Sequence, residues 1–182
     1  MFSIIVAVDR NNGIGINGRL PWNSLKGDMA FFRTTTTTVD AAGKYNALIM
    51  GSKTYLSIPK KFRPLKDRLN VVLTRQDVIK FRQANEIPDD VVVANTFDDA
   101  LKYIELNGDV QKIFVIGGSE VYGEAMKRKE CQRLYVTHVL EPEYMCDTHL
   151  PPIPSCYKME GAAPAQKEGD ISYQIVSYVR SQ

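Results

Sequence analysis

Residues 112–126 read KIFVIGGSEVYGEAM. Ile113 to Ile116 form a short, unbroken apolar run, which suits a strand covered on both faces, as in a parallel sheet. Gly117 and Gly118 then free the backbone, and a helix is predicted from about Ser119. A buried strand that passes through a glycine junction into a helix is the repeating unit of an α/β fold. Candidate strands recur at Phe2–Val8, Tyr45–Met50, Leu69–Thr74, Val91–Ala94, Lys112–Ile116, Leu134–Leu140, about Ser155–Glu160 and Ile171–Val179. Two more of them, around NALIM and NVVL, are again continuous. The last strand alternates, with Ile171, Tyr173, Ile175 and Val179 facing one way, which predicts an antiparallel edge strand with one wetter face. A helix is predicted over about Ser24–Arg33, ended by the β-branched run Thr34–Thr38. A short helix from Lys53 must stop near Ile58, because Pro59 follows. Thr96 and Asp99 form a capping pair ahead of Phe97, Ala100, Leu101 and Ile104, and Asn107-Gly108 ends that helix. Right-handed crossovers follow, with ligands at the carboxyl ends of the strands.

The chain has 182 residues, 44% of them hydrophobic and 24% charged. One domain per ~150 residues predicts a single domain over 1–182. The composition excludes disordered, collagen-like and coiled-coil chains. No apolar run approaches the ~18 residues of a bilayer span. MFSIIVAVDR lacks a basic region ahead of its apolar run, so it reads as a first strand and not as a secretory signal. Lys+Arg 23 against Asp+Glu 21 gives a net charge of +2. That balance argues against a nucleic-acid or membrane partner. Cys131, Cys146 and Cys156 are odd in number and contain no CxxC, which predicts free thiols in a reducing, cytoplasmic setting.

Four features carry chemistry. Leu25, Met29 and Phe32 make an apolar stripe on the first helix, and Asp28 shares it. A carboxylate aimed at an apolar interior is costly unless something satisfies it. Either a cap or an arginine does so in place, or it awaits a donor-rich heterocycle, whose N–C–NH₂ edge offers two parallel donors. Gly13-Ile14-Gly15-Ile16-Asn17-Gly18 matches GxGxxG after a strand, but Arg19-Leu20-Pro21-Trp22 follows, and Pro21 forbids the helix that a dinucleotide fingerprint needs. These glycines predict a flexible loop, a candidate lid. Three strand ends carry glycine, hydroxyl or basic groups: Gly117-Gly118-Ser119, Gly51-Ser52-Lys53-Thr54 and Thr74-Arg75. Together they suggest a long, multiply phosphorylated ligand. Gly118 to Gly123 has the step of a Walker A loop, but Glu124-Ala125 stands where Lys-Ser/Thr is needed. His138 and His149 have no metal-ligand spacing, and Lys127-Arg128-Lys129 reads as a solvated helix end.

Taken in order, IVAVDRNNGIGINGRLPW, LKGDMAFFR, IMGSKTYLSIP, RPLKDRLNVVLTR, IFVIGGSEVYGEAM and LYVTHV, with the Cys-Asp-Thr stretch at Asp147, resemble dihydrofolate reductase of the eukaryotic, monofunctional type. The resemblance implies a central eight-stranded, mostly parallel sheet with an antiparallel C-terminal strand and helices on both faces. It implies NADPH-dependent reduction of 7,8-dihydrofolate, with hydride transfer to pterin C6 and protonation of N5, in support of one-carbon and thymidylate metabolism. Asp28 would hold the pterin N3 and 2-amino group, Thr137 would hydrogen-bond Asp28 or a pterin group, and Trp22 would help hold a water, with Leu20 completing the catalytic set. Ile5, Val6, Met29, Phe32, Ser57, Ile58, Pro59, Leu65, Ile116 and Tyr122 would surround the substrate, whose glutamyl carboxylate Arg68 would pair. NADPH would lie against Ala7, Ile14, Gly18, Leu20, Gly51, Ser52, Lys53, Thr54, Ser57, Leu73, Thr74, Arg75, Gly117, Gly118, Ser119, Glu120, Val121 and Tyr122, and the Gly117–Gly118 bond would be cis.

The resemblance also implies inhibition by antifolates such as methotrexate or trimethoprim, a monomer, and a cytoplasmic location with mitochondrial or nuclear pools. Three departures from the family pattern stand out. Asp28 replaces the usual Glu of eukaryotic relatives, Met29 a common aromatic, and Ser52 a usual basic residue for the 2′-phosphate, which leaves that task to Arg75 and Thr74. The rivals are another pterin- or pyrimidinone-type reductase and a noncatalytic nucleotide- or RNA-binding domain. The near-neutral charge and the lack of an aromatic ribonucleoprotein motif count against the latter.

Overall fold

The computed structural model describes residues 1–181. In chain order the elements are β1 (Phe2–Val8), β2 (Gly13–Gly15), α1 (Lys26–Thr37), β3 (Tyr45–Gly51), α2 (Ser52–Ser57), β4 (Arg68–Leu73), α3 (Val78–Ala84), β5 (Val92–Ala94), α4 (Phe97–Leu106), β6 (Val110–Val115), α5 (Ser119–Lys127), β7 (Cys131–Glu141), β8 (Thr148–His149), β9 (Tyr157–Ala162), β10 (Gln166–Glu168) and β11 (Ile171–Arg180). This is the expected α/β class, mostly parallel with an antiparallel C-terminal strand. The chain forms two compact units. One is Met1–Arg33 with Ser119 onward; the other is Thr34–Gly118.

In the second unit the strands run in the order β6-β3-β4-β5, all parallel. Asn46 to Met50 are buried in succession, which explains the unbroken NALIM run. α4 is capped as predicted: Thr96 Oγ1 accepts from Asp99 N at 3.1 Å, and Phe97, Ala100 and Ile104 face inward. α2 ends at Ser57, ahead of Pro59. α3 was not anticipated. Asp77 caps it by accepting from Lys80 N at 2.9 Å, and Phe81 is its one buried side chain, too little for a periodic pattern.

In the first unit β1 and β7 are parallel, with Ile5 opposite Tyr135 and Ala7 opposite Thr137. β11 lies antiparallel to β7 on one side and to β9 and β10 on the other. It is therefore an interior strand, and the expected edge position is corrected. The register runs unbroken from Tyr173 to Ser177, so Tyr173 and Val176, three residues apart, point to opposite faces of the sheet. Tyr173 and Val176 are its buried residues, in place of one uninterrupted odd-numbered face.

Two further expectations are corrected. α1 starts at Lys26 and runs through the threonines to Thr37. Its last turn holds because Thr36 is buried and accepts from Arg68 Nη1 at 2.8 Å, while Thr38 Oγ1 donates back to Thr34 O at 2.7 Å. The glycine-rich segment is tied down where a free loop was expected. β2 pairs with β8, and Asp147 Oδ2 accepts from Asn17 N at 2.7 Å. Asp9, 2% exposed, accepts from Gly13 N at 2.6 Å and Asn11 N at 2.9 Å. A Cβ on Gly13 would overlap Cys146 Sγ.

Arg180 closes the first unit. Its Nη2 donates to Met126 O (2.7 Å), Arg128 O (3.0 Å) and Tyr157 Oη (2.9 Å), and its Nε to Cys131 O (2.9 Å). The last carbonyls of α5 and the turn after it thus receive a cation, which suits the helix dipole. Burial pushes the Cys131 thiol up to about 11. Arg180→Leu should cost about 2–4 kcal/mol, because it strands several carbonyls at once. Urea unfolding should show a lower midpoint with an unchanged slope.

Candidate active site

The first unit gathers the expected acid and its neighbours. Asp28 sits in the first turn of α1, and Thr137 Oγ1 on β7 donates to its Oδ1 at 2.6 Å. Thr137 is buried and lies opposite Ala7. Burial is the main cause that raises the Asp28 proton affinity; the Thr137 hydrogen bond opposes it, and the Glu168 charge adds to it. No cation among the described residues contributes to that balance. Of the internal partners that the sequence leaves open, a hydroxyl meets the carboxylate and, among the described residues, no arginine does.

In the same unit Trp22, Leu25, Val139 and Tyr173 form a buried cluster that Ala7 packs against. Trp22 also meets Tyr144 edge-on, with centroids 5.6 Å apart. Tyr122 on α5 donates to Ile5 O at 3.0 Å, and burial drives its phenol strongly upward, with the Asp28 charge adding to the effect. Ile5 and Ala7 share one face of β1 and Val6 takes the other, so Val6 meets that face through its main chain alone. The helical stripe is split. Leu25 is buried and Phe32 half-buried, but Met29 is 57% exposed and turns outward, with Ser24 Oγ donating to its Sδ at 2.8 Å. Leu20 is 54% exposed. Ile14 lies in β2, and Gly18 stands in a left-handed turn at φ 72°, where Ile16 and Arg19 exchange backbone bonds. Ser119 Oγ donates to His149 O at 2.6 Å, which fixes the start of α5, on which Glu120, Val121 and Tyr122 follow.

The second unit lines up strand ends. Gly51 N donates to Gly117 O at 2.7 Å and Ile116 N to Ile49 O at 2.9 Å, so the tips of β3 and β6 lie side by side. Gly117 has φ 109°, open only to glycine, and the Gly117–Gly118 bond is cis. A Cβ on Gly118 would meet Thr54 Oγ1 at 3.4 Å. Ser52, Lys53, Thr54 and Ser57 lie on α2, where Ser57 Oγ donates to Thr54 O at 2.6 Å. β4 continues this edge with Leu73, buried Thr74 and exposed Arg75; Thr74 N donates to Ala94 O at 3.0 Å. Hydroxyls, glycine main chain and a guanidinium along parallel strand tips fit a nicotinamide dinucleotide in their donor chemistry. Arg68 donates to Thr36 Oγ1 and Lys66 O, both at 2.8 Å. Leu65 is pinned through Asn70, whose side chain both accepts from Leu65 N and donates to Leu65 O at 2.9 Å. Ile58 and Pro59 follow α2 directly.

Sequence reading missed Glu168, Tyr173 as a polar partner, and Asn70. Glu168 accepts from Lys26 N at 2.8 Å and Gly27 N at 2.7 Å. One signal pointed there: a glycine in the first turn of a helix, at Gly27, whose Cβ would overlap the Tyr173 hydroxyl.

Residues 1–180 match the dihydrofolate reductase family. The dihydrofolate reductase of Rattus norvegicus is 42% identical over 184 residues, covering 96% of this chain and 94% of the relative. That of Heliothis virescens is 41% identical over 182 residues (97% and 95%). That of Aedes albopictus is 38% identical over 185 residues (97% and 96%). With an acid held by a hydroxyl in one unit and glycine-bearing parallel strand tips in the other, the chain belongs to the dihydrofolate reductase family and is an oxidoreductase.

Proposed function

We propose that this chain reduces 7,8-dihydrofolate to 5,6,7,8-tetrahydrofolate with NADPH as cofactor, acting as a cytoplasmic monomer. The observation that carries the reading is Asp28: a half-buried carboxylate with one hydroxyl donor and a raised proton affinity. Such a group suits the N3 and 2-amino edge of a pterin, which presents two parallel donors. In the free protein the Thr137 hydroxyl orients the carboxylate, and burial leaves its charge poorly solvated until the pterin edge arrives. Ile5, Ala7, Phe32 and Trp22 provide an apolar surround that strengthens this contact.

When bound, NADPH supplies the hydride that adds to pterin C6. Asp28 meets the ring edge remote from N5, so it does not hand over that proton; a water near Trp22 does. Its own contribution is electrostatic, through stabilisation of the protonated pterin. In the second unit Gly117 and Gly118 offer main chain at close approach, Thr54 and Thr74 offer hydroxyls, and Arg75 faces the 2′-phosphate. Arg68 takes the glutamyl carboxylate of the substrate. The diaminopyrimidine of methotrexate or trimethoprim presents the same kind of donor edge to Asp28.

Spectrophotometric NADPH oxidation that depends on dihydrofolate and is blocked by methotrexate tests the assignment; oxidation with no dependence on dihydrofolate overturns it. Asp28→Asn should lower turnover by about 10²–10⁴-fold with NADPH binding nearly unchanged. The same variant should be more stable than wild type at neutral pH. The folded pKa of Asp28 lies above the unfolded 3.8. The native state therefore binds the extra proton between the two values, and wild-type stability falls as pH rises through that window. The advantage of Asn should shrink as pH drops toward and below 3.8, which urea midpoints measured across pH will show. Arg75→Ala should reduce the kcat/KM preference for NADPH over NADH by about 10–100-fold, the worth of a charge-assisted hydrogen bond. An unchanged ratio removes Arg75 from that role.

A further inference from the structure

α1 begins without a cap of its own. The residue before it, Leu25, is apolar and buried, and the first helical bond is Met29 N to Leu25 O at 2.9 Å. The N–H groups ahead of that bond need acceptors from elsewhere. Glu168 on β10 supplies acceptors for two of them: Oε2 accepts from Lys26 N at 2.8 Å, and Oε1 from Gly27 N, 141 residues away, at 2.7 Å. Tyr173 braces this arrangement. Its hydroxyl donates toward Glu168 Oε1 at 2.8 Å or Gln166 Oε1 at 3.0 Å and fills the space where a Gly27 side chain would stand.

We propose that Glu168 is a positioning residue for Asp28: it holds the first turn of α1 with both carboxylate oxygens and occupies the N–H groups whose positive end would otherwise act on Asp28. The proposal rests on Asp28 being the acid that meets the pterin. A helix N-terminus favours a nearby anion, and Asp28 lies in that first turn. With Glu168 as the anion at the terminus, Asp28 is left with Thr137 alone as donor and a like charge beside it. The two carboxylates shift in opposite senses. The Gly27 N–H and the Tyr173 hydroxyl, with smaller help from Lys26, hold Glu168 below its ordinary value; burial and then the Glu168 charge push Asp28 up. The ionisable groups around Asp28 are Glu168 on β10, Tyr122 on α5 and Tyr173 on β11, with Lys26 on α1 itself beside Glu168. Of these, Glu168 is the one that carries charge at neutral pH and acts on Asp28 directly.

The test is the carboxyl ¹³C titration of Asp28 in the ligand-free protein, in wild type, Glu168→Gln and Glu168→Asp. Glu168→Gln keeps one acceptor and loses the charge, and it should move the Asp28 titration to lower pH. Glu168→Asp restores the charge and should recover most of the wild-type position. A second arm needs no variant. At ~1 M salt the screening length falls to ~3 Å, and the wild-type titration should also move to lower pH, because the Thr137 bond and the burial are unaffected. A lower urea midpoint in Glu168→Gln with the titration unmoved, or a wild-type titration indifferent to salt, overturns the proposal and leaves Glu168 a structural cap only. The titration uses no substrate, so it stands apart from the reaction assignment. A shifted titration in a protein without dihydrofolate turnover would support the positioning role while the reaction fails, and turnover with an unmoved titration would do the reverse.

Discussion

A carboxylate taken part-way out of water, with one hydroxyl and no counter-cation, is the constraint that organises the first unit. Desolvation makes Asp28 costly to the fold. The cost is tolerated because the elements that hold it are anchored elsewhere. Thr137 comes from a long strand paired on both sides, and Trp22, Leu25 and Tyr173 pack into a buried cluster in the same unit. An arginine in the same place would relieve the fold and, on the proposed reading, cancel the charge that a protonated pterin requires. Sites that bind cationic or donor-rich rings are expected to carry this kind of tension.

The second unit solves a different problem. On the proposed reading, an elongated phosphorylated cofactor needs several donors in a row, and parallel strands deliver them because every strand ends at the same edge. Gly51 and Gly117 are tied to each other through one backbone bond at that edge. The donors there are mostly main chain and hydroxyl, with Arg75 exposed at the end of β4. Charge is thus used sparingly, in keeping with the near-neutral composition.

Much of this was legible in the residues. Continuous apolar runs at Ala47–Met50 and Val71–Val72 announced buried parallel strands because burial on both faces leaves no polar alternation to read. Thr96 and Asp99 announced a helix start because capping is local chemistry. Asp28 stood out because an acid in an apolar stripe is an anomaly at short range. What stayed hidden depends on distant partners. Glu168 reaches α1 from 141 residues beyond Gly27, and no spacing rule spans that. Propensity alone ends the helix at the threonine run, but burial of Thr36 and its bond from Arg68 override propensity for one more turn. The alternation in β11 predicts one buried face, but Tyr173 and Val176 are buried on opposite faces, and what covers each face comes from segments distant in sequence.

Gly13 and Cys146 belong to segments far apart in sequence, yet they share one volume: the sulfur fills the space that a side chain on residue 13 would need. The Cβ of Cys146 at 2.7 Å and Asp9 Oδ1 at 2.9 Å crowd the same space, so trimming residue 146 alone does not open it. In descendants of this chain a glycine at 13 should therefore persist wherever Asp9 and any side chain at 146 persist.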